Sequence, residues 1–262
     1  MAIQIPLRNL LTITLAASLL AACATHPTTG RQQLMLISDA QVTQMSYRAY
    51  EEMKRQQPLL PVSHAYTQRV NRIADRIVQQ AIQQYPDSQN LAWEINVFQD
   101  DSPNAFAMAG GKMGVNSGLI DRFQLTDDEL AQVIAHEVAH VVSGHTREKM
   151  SIAMSQQLGL DLAGLVLGLN EGAIQMAGQI SQLAISLPFS RTMEYEADRI
   201  GIELAARAGY HPQAAVTLWE KLRRDGGPRP PEWLSTHPAD ERRMAEIQRL
   251  IPQMMPLYQA AR

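Results

Sequence analysis

Ala135-His136-Glu137-Val138-Ala139-His140 lies inside a run from Thr126 to His145 that reads as one amphipathic helix. Thr126 and Glu129 have the spacing of a capping box, and Asp127 and Asp128 suit the positive end of a helix dipole. Leu130, Val133, Ile134, Val138 and Val141 recur at helical spacing. At about 100° per residue, His136 and His140 stand about 40° apart, so both imidazoles can reach one ion. Glu137 is rotated to the side of the pair, where it can take a proton from water without being a ligand itself. Two neutral nitrogen ligands and a neighbouring carboxylate are what a zinc hydrolase needs. The pentapeptide also occurs on ordinary core helices, so the reading depends on finding a third ligand.

Working outward, the 262 residues suffice for one large domain. Aromatic residues make up only 5% of the chain while Ala, Leu, Gln and Met are abundant, which leans towards helix, and the formal net charge of −3 gives no electrostatic case for nucleic acid. Cys23 is the single cysteine, so neither a disulfide framework nor a thiolate metal site is available. Metal binding would fall entirely to histidine and carboxylate.

Towards the N-terminus, a short apolar stretch from Leu10 ends at Leu20-Ala21-Ala22-Cys23, which reads as an export signal and resembles the bacterial lipobox. Residues 1–22 are then a signal peptide, Cys23 is the acylated first residue, and residues 23–30 are a polar tether ahead of a domain spanning 31–262. Ala24 rather than aspartate after Cys23 favours the outer membrane over the inner. Ser38 to Gln57 and Ser63 to Tyr85 read as helices, Leu91 to Gln99 as a strand, and Gly110-Gly111 as the turn of a hairpin. A small strand group just before the HExxH helix could hold substrate backbone by strand addition, or could simply cover the helix.

Towards the C-terminus, His145 would point about 180° away from His136 on a continuous helix, and is expected to be structural or supporting rather than a ligand. The third histidine of the metzincin pattern is missing, because Ser143 and Thr146 occupy its diagnostic positions. The apolar segment Ser151 to Ser186 is too short in its uncharged run for a membrane span and reads as two packed helices turning near Asn170, forming a flap over the cleft, with a membrane-dipping hairpin as the lesser alternative. In Met193-Glu194-Tyr195-Glu196-Ala197-Asp198, Glu194 and Asp198 share a helical face. That spacing suits a carboxylate ligand with an aspartate one turn later to orient a ligating histidine. Glu196 falls on another face and reads as solvated surface.

HEVAH, EYEAD, Ser235-Thr236-His237-Pro238 and Arg243, in this order, resemble the gluzincin family of zinc metallopeptidases that holds BepA, LoiP, HtpX, the mitochondrial Oma protease and the CAAX prenyl endopeptidase. The resemblance runs from about Gly30 to the C-terminus. It implies an α+β, predominantly helical, zincin-like fold with a small β-sheet beside the HExxH helix. It implies one Zn2+ on His136, His140 and Glu194, with Glu137 as general base and Asp198 and Arg243 behind the ligands. Asn104, Ala105, Phe106 and Ala107 match the family's strand beside the cleft. His237 would face the metal, either as a self-inhibiting fourth ligand or as a transition-state donor. The long transmembrane helices and the helical-repeat extension found in some branches have no counterpart, so the short lipoprotein branch is the nearest match.

The expected activity is therefore that of a zinc endopeptidase, lipid-anchored on the periplasmic side. Its substrates would be unfolded or misassembled envelope proteins, with the outer-membrane assembly machinery as a further partner. The competing expectation is a periplasmic binding or assembly factor whose zinc is structural and permanently closed by His237. Glu137 argues against it, because a purely structural site has no use for a base beside its first ligand.

Overall fold

The computed structural model describes residues 23–26, 28–167, 187–224, 232–238 and 240–262, with the backbone alone at Cys23 and over 157–167. The expected signal peptide, most of the expected flap and the loop before residue 232 lie outside the described residues. The fold is α+β and mainly helical. A two-stranded ribbon, β1 (Cys23–Thr25) and β2 (Gln32–Leu34), precedes α1 (Asp39–Gln56) and α2 (Ala65–Gln84). Next come β3 (Glu94–Phe98), β4 (Ala105–Met108), β5 (Lys112–Asn116) and the short α3 (Ser117–Phe123). The remaining elements are α4 (Asp127–Val142), α5 (His145–Leu167), α6 (Arg191–Arg207), α7 (Ala214–Arg224), the one-turn α8 (Glu232–Thr236) and α9 (Glu241–Ala260).

Glu94–Phe98 lies within the expected strand, and the helices Asp39–Gln56 and Ala65–Gln84 fall within one or two residues of their expected limits. The hairpin also forms. Gly110 and Gly111 take φ of 81° and 85°, the left-handed region that glycine reaches at little cost. The sheet order is β3-β5-β4, with β3 parallel and β4 antiparallel to β5, which leaves β4 at an edge. Among the described residues no helix is long and apolar enough to cross a membrane.

Two local expectations fail. The run Thr126 to His145 is not one helix. Its capping box forms at Thr126 and Glu129 as expected, but α4 ends at Val142 and the chain turns at Gly144, φ 66°. A glycine in that conformation is a common helix stop, and α5 starts afresh at His145. The described part of residues 23–30, expected as a polar tether, is instead built into the domain. Cys23 pairs with Leu34 and Thr25 with Gln32, while His26 is buried.

α4 is the central element. Leu130, Val133, Ile134 and Val138 are buried, and so are Ala131, Ala135 and Ala139 on its other faces. α6 crosses it at Gly201, where an added Cβ would stand 2.9 Å from the His136 amide nitrogen. This contact brings Glu194 and Asp198 of α6 alongside the histidines of α4.

Candidate metal centre

His136, Glu137 and His140 project from α4, Glu194 from the first turn of α6, and His237 from the end of α8. All five are at most 4% exposed. His136 Nε2 lies 3.1 Å from His140 Nε2 and 3.5 Å from Glu194 Oε2. His140 Nε2 is 3.5 Å from Glu194 Oε1, and His237 Nδ1 is 3.0 Å from that oxygen and 3.2 Å from His136 Nε2. Tetrahedral coordination with bonds of about 2.0–2.1 Å places its ligand atoms about 3.3 Å apart. The observed separations bracket that edge length, so the four side chains fit one metal ion.

The protonation pattern agrees. Burial by itself lowers the His136 imidazole, but Asp198 and Glu194 more than offset this and hold it up at about 9. His140 is pushed well down, first by burial and then by the charge of His136. Burial alone would raise Glu194, yet Arg243, His237, His136 and His140 keep it well below the usual carboxylate range. The cluster thus favours one positive charge between two imidazoles and an ionised carboxylate, a place that either a proton or a metal can take.

Asp198 and Arg243 stand where the resemblance implied. Asp198 Oδ1 is 3.0 Å from His136 Nδ1, which leaves Nε2 to face the ion. Arg243 donates to both Asp198 oxygens at 2.5 and 2.8 Å, pairs with Glu194, and reaches the carbonyls of His237 and Pro238. Asn104 immediately precedes the edge strand, which holds Ala105, Phe106 and Ala107. A cavity of about 30 Å³ separates Phe106 and Met108 from Lys149, Phe189 and His237. That is room for a few waters, not for a peptide.

The site is closed by contacts that the sequence reading missed. The Trp233 indole donates to Glu137 Oε1 at 2.9 Å, and His237 Nε2 is 3.4 Å from the same oxygen. Trp233 N donates to the Pro103 carbonyl, and Phe189 N to that of Thr236, so α8 bridges both walls of the cleft. Phe189 stacks on His140 with ring centres 3.9 Å apart. No local pattern announces Trp233 or Phe189, because their role comes from contacts made across the chain.

Two expectations on supporting residues change. His145 does not point away from His136 and His140 as expected, because the helix break at Gly144 brings it back towards the site. Its Nδ1 lies 2.9 Å from His140 Nδ1. Glu196 is not solvated surface. It is 5% exposed, approaches His145 Nε2 at 3.2 Å, and accepts from Arg31 and Thr29. Its carboxyl is driven far below the usual range, because those partners outweigh the upward effect of burial.

Comparison with known proteins gives a consistent result. The profile of peptidase family M48 matches residues 64–251. A mitochondrial metalloendopeptidase OMA1 of Schizosaccharomyces pombe is 33% identical over 87% of this chain and 66% of its own length. Metalloprotease LoiP of Escherichia coli is 29% identical over 92% and 95% of the two lengths. The β-barrel assembly-enhancing protease of Escherichia coli is 31% identical over 89% of this chain and 48% of its own. The chain therefore spans nearly all of LoiP but only about half of the last relative.

Proposed function

The chain belongs to peptidase family M48, and from that premise we propose that it is a zinc-dependent endopeptidase of the cell envelope. His136, His140 and Glu194 would hold the zinc, which, when bound, supplies a Lewis acid for the scissile carbonyl and for water. Glu137 is the general base. Its carboxylate takes the proton of the attacking water and passes it to the departing amine. Asp198 keeps the His136 ring in the orientation that presents Nε2, and Arg243 balances the buried charge of Asp198 and Glu194. The edge strand Ala105–Met108 would receive the substrate backbone as an added strand.

His237 acts as a latch. Its Nδ1 stands beside Glu194 Oε1 and His136 Nε2, where it would be a fourth ligand, and its Nε2 and the Trp233 indole crowd Glu137. A substrate strand entering beside β4 would displace α8 together with His237, opening both a coordination position and the base. Zinc is favoured over other metals by the all-histidine-and-carboxylate tetrahedron. The lipid anchor at Cys23, the periplasmic and outer-membrane location, and unfolded or misassembled envelope proteins as substrates extend this reading, with the outer-membrane assembly machinery as a further partner. The observation that carries it is the convergence of three histidines and two carboxylates in one buried cluster, with one carboxylate, Glu137, outside the ligand tetrahedron. The test is proteolysis of an unfolded envelope protein by wild type and Glu137→Gln, with zinc measured on both. The variant should keep one zinc and lose cleavage. Equal cleavage by the two proteins would remove Glu137 from the mechanism.

A further inference from the structure

Behind His140 lies a second polar cluster, in which the buried His145, Glu148 and Glu196 are capped by His26 and residues 28–33. Arg31 forks across two carboxylates, donating to Glu148 at 2.5 and 2.8 Å and to Glu196 at 2.8 and 3.0 Å. Thr29 Oγ1 adds a 2.5 Å bond to Glu196, and the Gln33 side-chain amide donates to Glu148 and to the Ser143 carbonyl. His26, His145 and Glu196 come close enough together to suggest a metal site of their own. The hydrogen bonds of His26 argue otherwise. Its Nδ1 accepts from the amides of Thr28 and Thr29, so a neutral ring carries its proton on Nε2, the atom facing Glu196 at 3.8 Å. That nitrogen carries a hydrogen and has no lone pair for an ion, and at this distance it makes no hydrogen bond to the carboxylate.

The same bookkeeping fixes His145. An ionised carboxylate only accepts, so His145 Nε2 carries the proton that faces Glu196 Oε2. A neutral His145 then has a bare Nδ1, which accepts from His140 Nδ1–H. His140 is left with a bare Nε2, the atom that faces the metal position. Resting on the metal-centre reading above, we propose that the N-terminal arm, residues 28–33, is a positioning element of that centre: Arg31 and Thr29 fix Glu196, Glu196 fixes His145, and His145 fixes the ring and tautomer of His140. Asp198 serves His136 directly, whereas His140 is served through an added imidazole by a segment more than a hundred residues away in sequence.

The test is zinc affinity of the full-length protein by competition with a chromogenic chelator, with thermal unfolding of each variant in excess chelator as a measure of fold. Arg31→Ala and Glu196→Gln should weaken zinc about 10- to 100-fold, the range seen when the partner of a ligating histidine is removed. Arg31→Lys, which restores charge but not the fork, should recover only part of the loss, and Thr29→Val should weaken zinc less than Arg31→Ala. Arg147→Ala is the structural control. It removes a neighbouring pair to Asp39 and a bond to the Ile37 carbonyl without touching His145, so it should lower stability and leave zinc affinity unchanged. Wild-type affinity in Thr29→Val and Arg31→Ala, or an equal loss in Arg147→Ala, would overturn the relay while leaving the metal centre intact. Two zinc ions per wild-type chain, one of them lost in Glu196→Gln, would overturn it in favour of a second metal site. Absence of zinc from wild type would overturn the metal reading and the relay with it.

Discussion

Gly201→Ala tests how closely the metal geometry depends on helix packing. The added methyl would meet three backbone atoms, His136 N at 2.9 Å and both Ala135 C and His136 Cα at 3.0 Å. None of these can rotate aside as a side chain would. Ordinary carbon contacts lie at about 3.5–4.0 Å, so α4 and α6 must separate by about 0.5–1 Å. Alanine gains about 1 kcal/mol over glycine within a helix, and overpacking costs about 1–3 kcal/mol, so the metal-free protein should lose no more than about 2 kcal/mol. The metal site should suffer more. Metal–ligand distances tolerate about 0.2 Å, and the displacement carries Glu194 away from His136 by several times that. We expect zinc affinity to fall at least about tenfold, about 1.4 kcal/mol, beyond any loss of fold. Guanidinium unfolding in chelator gives the packing cost, and chelator competition gives the affinity. Wild-type zinc affinity in a folded Gly201→Ala protein would refute the claim that this crossing sets the distance between the ligands.

Three further outcomes are expected. His237→Ala should keep zinc and raise basal or self-cleavage; loss of activity with zinc and fold retained would make His237 a transition-state donor instead, and loss of zinc would point to a structural site. Lys149 is buried, which pushes its ammonium down to about 8, with only partial relief from Glu137 and Glu194. Lys149→Met should therefore stabilise the protein at pH 7 by about 1–3 kcal/mol, and denaturant unfolding should show the gain shrinking above pH 8, where the native lysine sheds its proton before the unfolded one. Glu194, Asp198 and Glu196 are all held below their ordinary values of 4.5, 3.8 and 4.5. Their contribution in the metal-free protein should be full above about pH 4.5 and be lost as pH falls through the folded values, and urea unfolding should show a shallower acid slope in Glu196→Gln.

Much of the centre was legible because it is written locally. His136, Glu137 and His140 lie within one turn and a half of a helix, and Glu194 and Asp198 within one turn of another, so helical spacing alone places each group correctly. The helix boundary was misjudged because apolar spacing continues to Val141 and the stop rests on a single glycine at 144. The same boundary decides where His145 points. On a continuous helix it would face away, whereas after the turn it returns to touch His140. Glu196 was misread because spacing relative to Glu194 shows which face a residue occupies, not what packs there. Its partner Arg31 lies 165 residues earlier, and no periodicity spans that interval. Trp233 and the edge position of β4 belong to the same class, since each is decided by long-range pairing.

The order of the ligands along the chain has a consequence for folding. The helix with the two histidines precedes His237 by 101 residues, and Arg31, which lies behind the site, precedes Glu148 by 117. Closing loops of this length must wait for the rest of the domain, and such non-local contacts form late and slowly. A chain still being made presents HEVAH long before it has a third ligand or an arginine to balance it, and the arm, although made first, has as yet nothing folded to orient. The intermediate has a binding sequence without a binding site, so hydrolytic capacity arrives only when the last helix docks, and by then α8 is in place across the cleft.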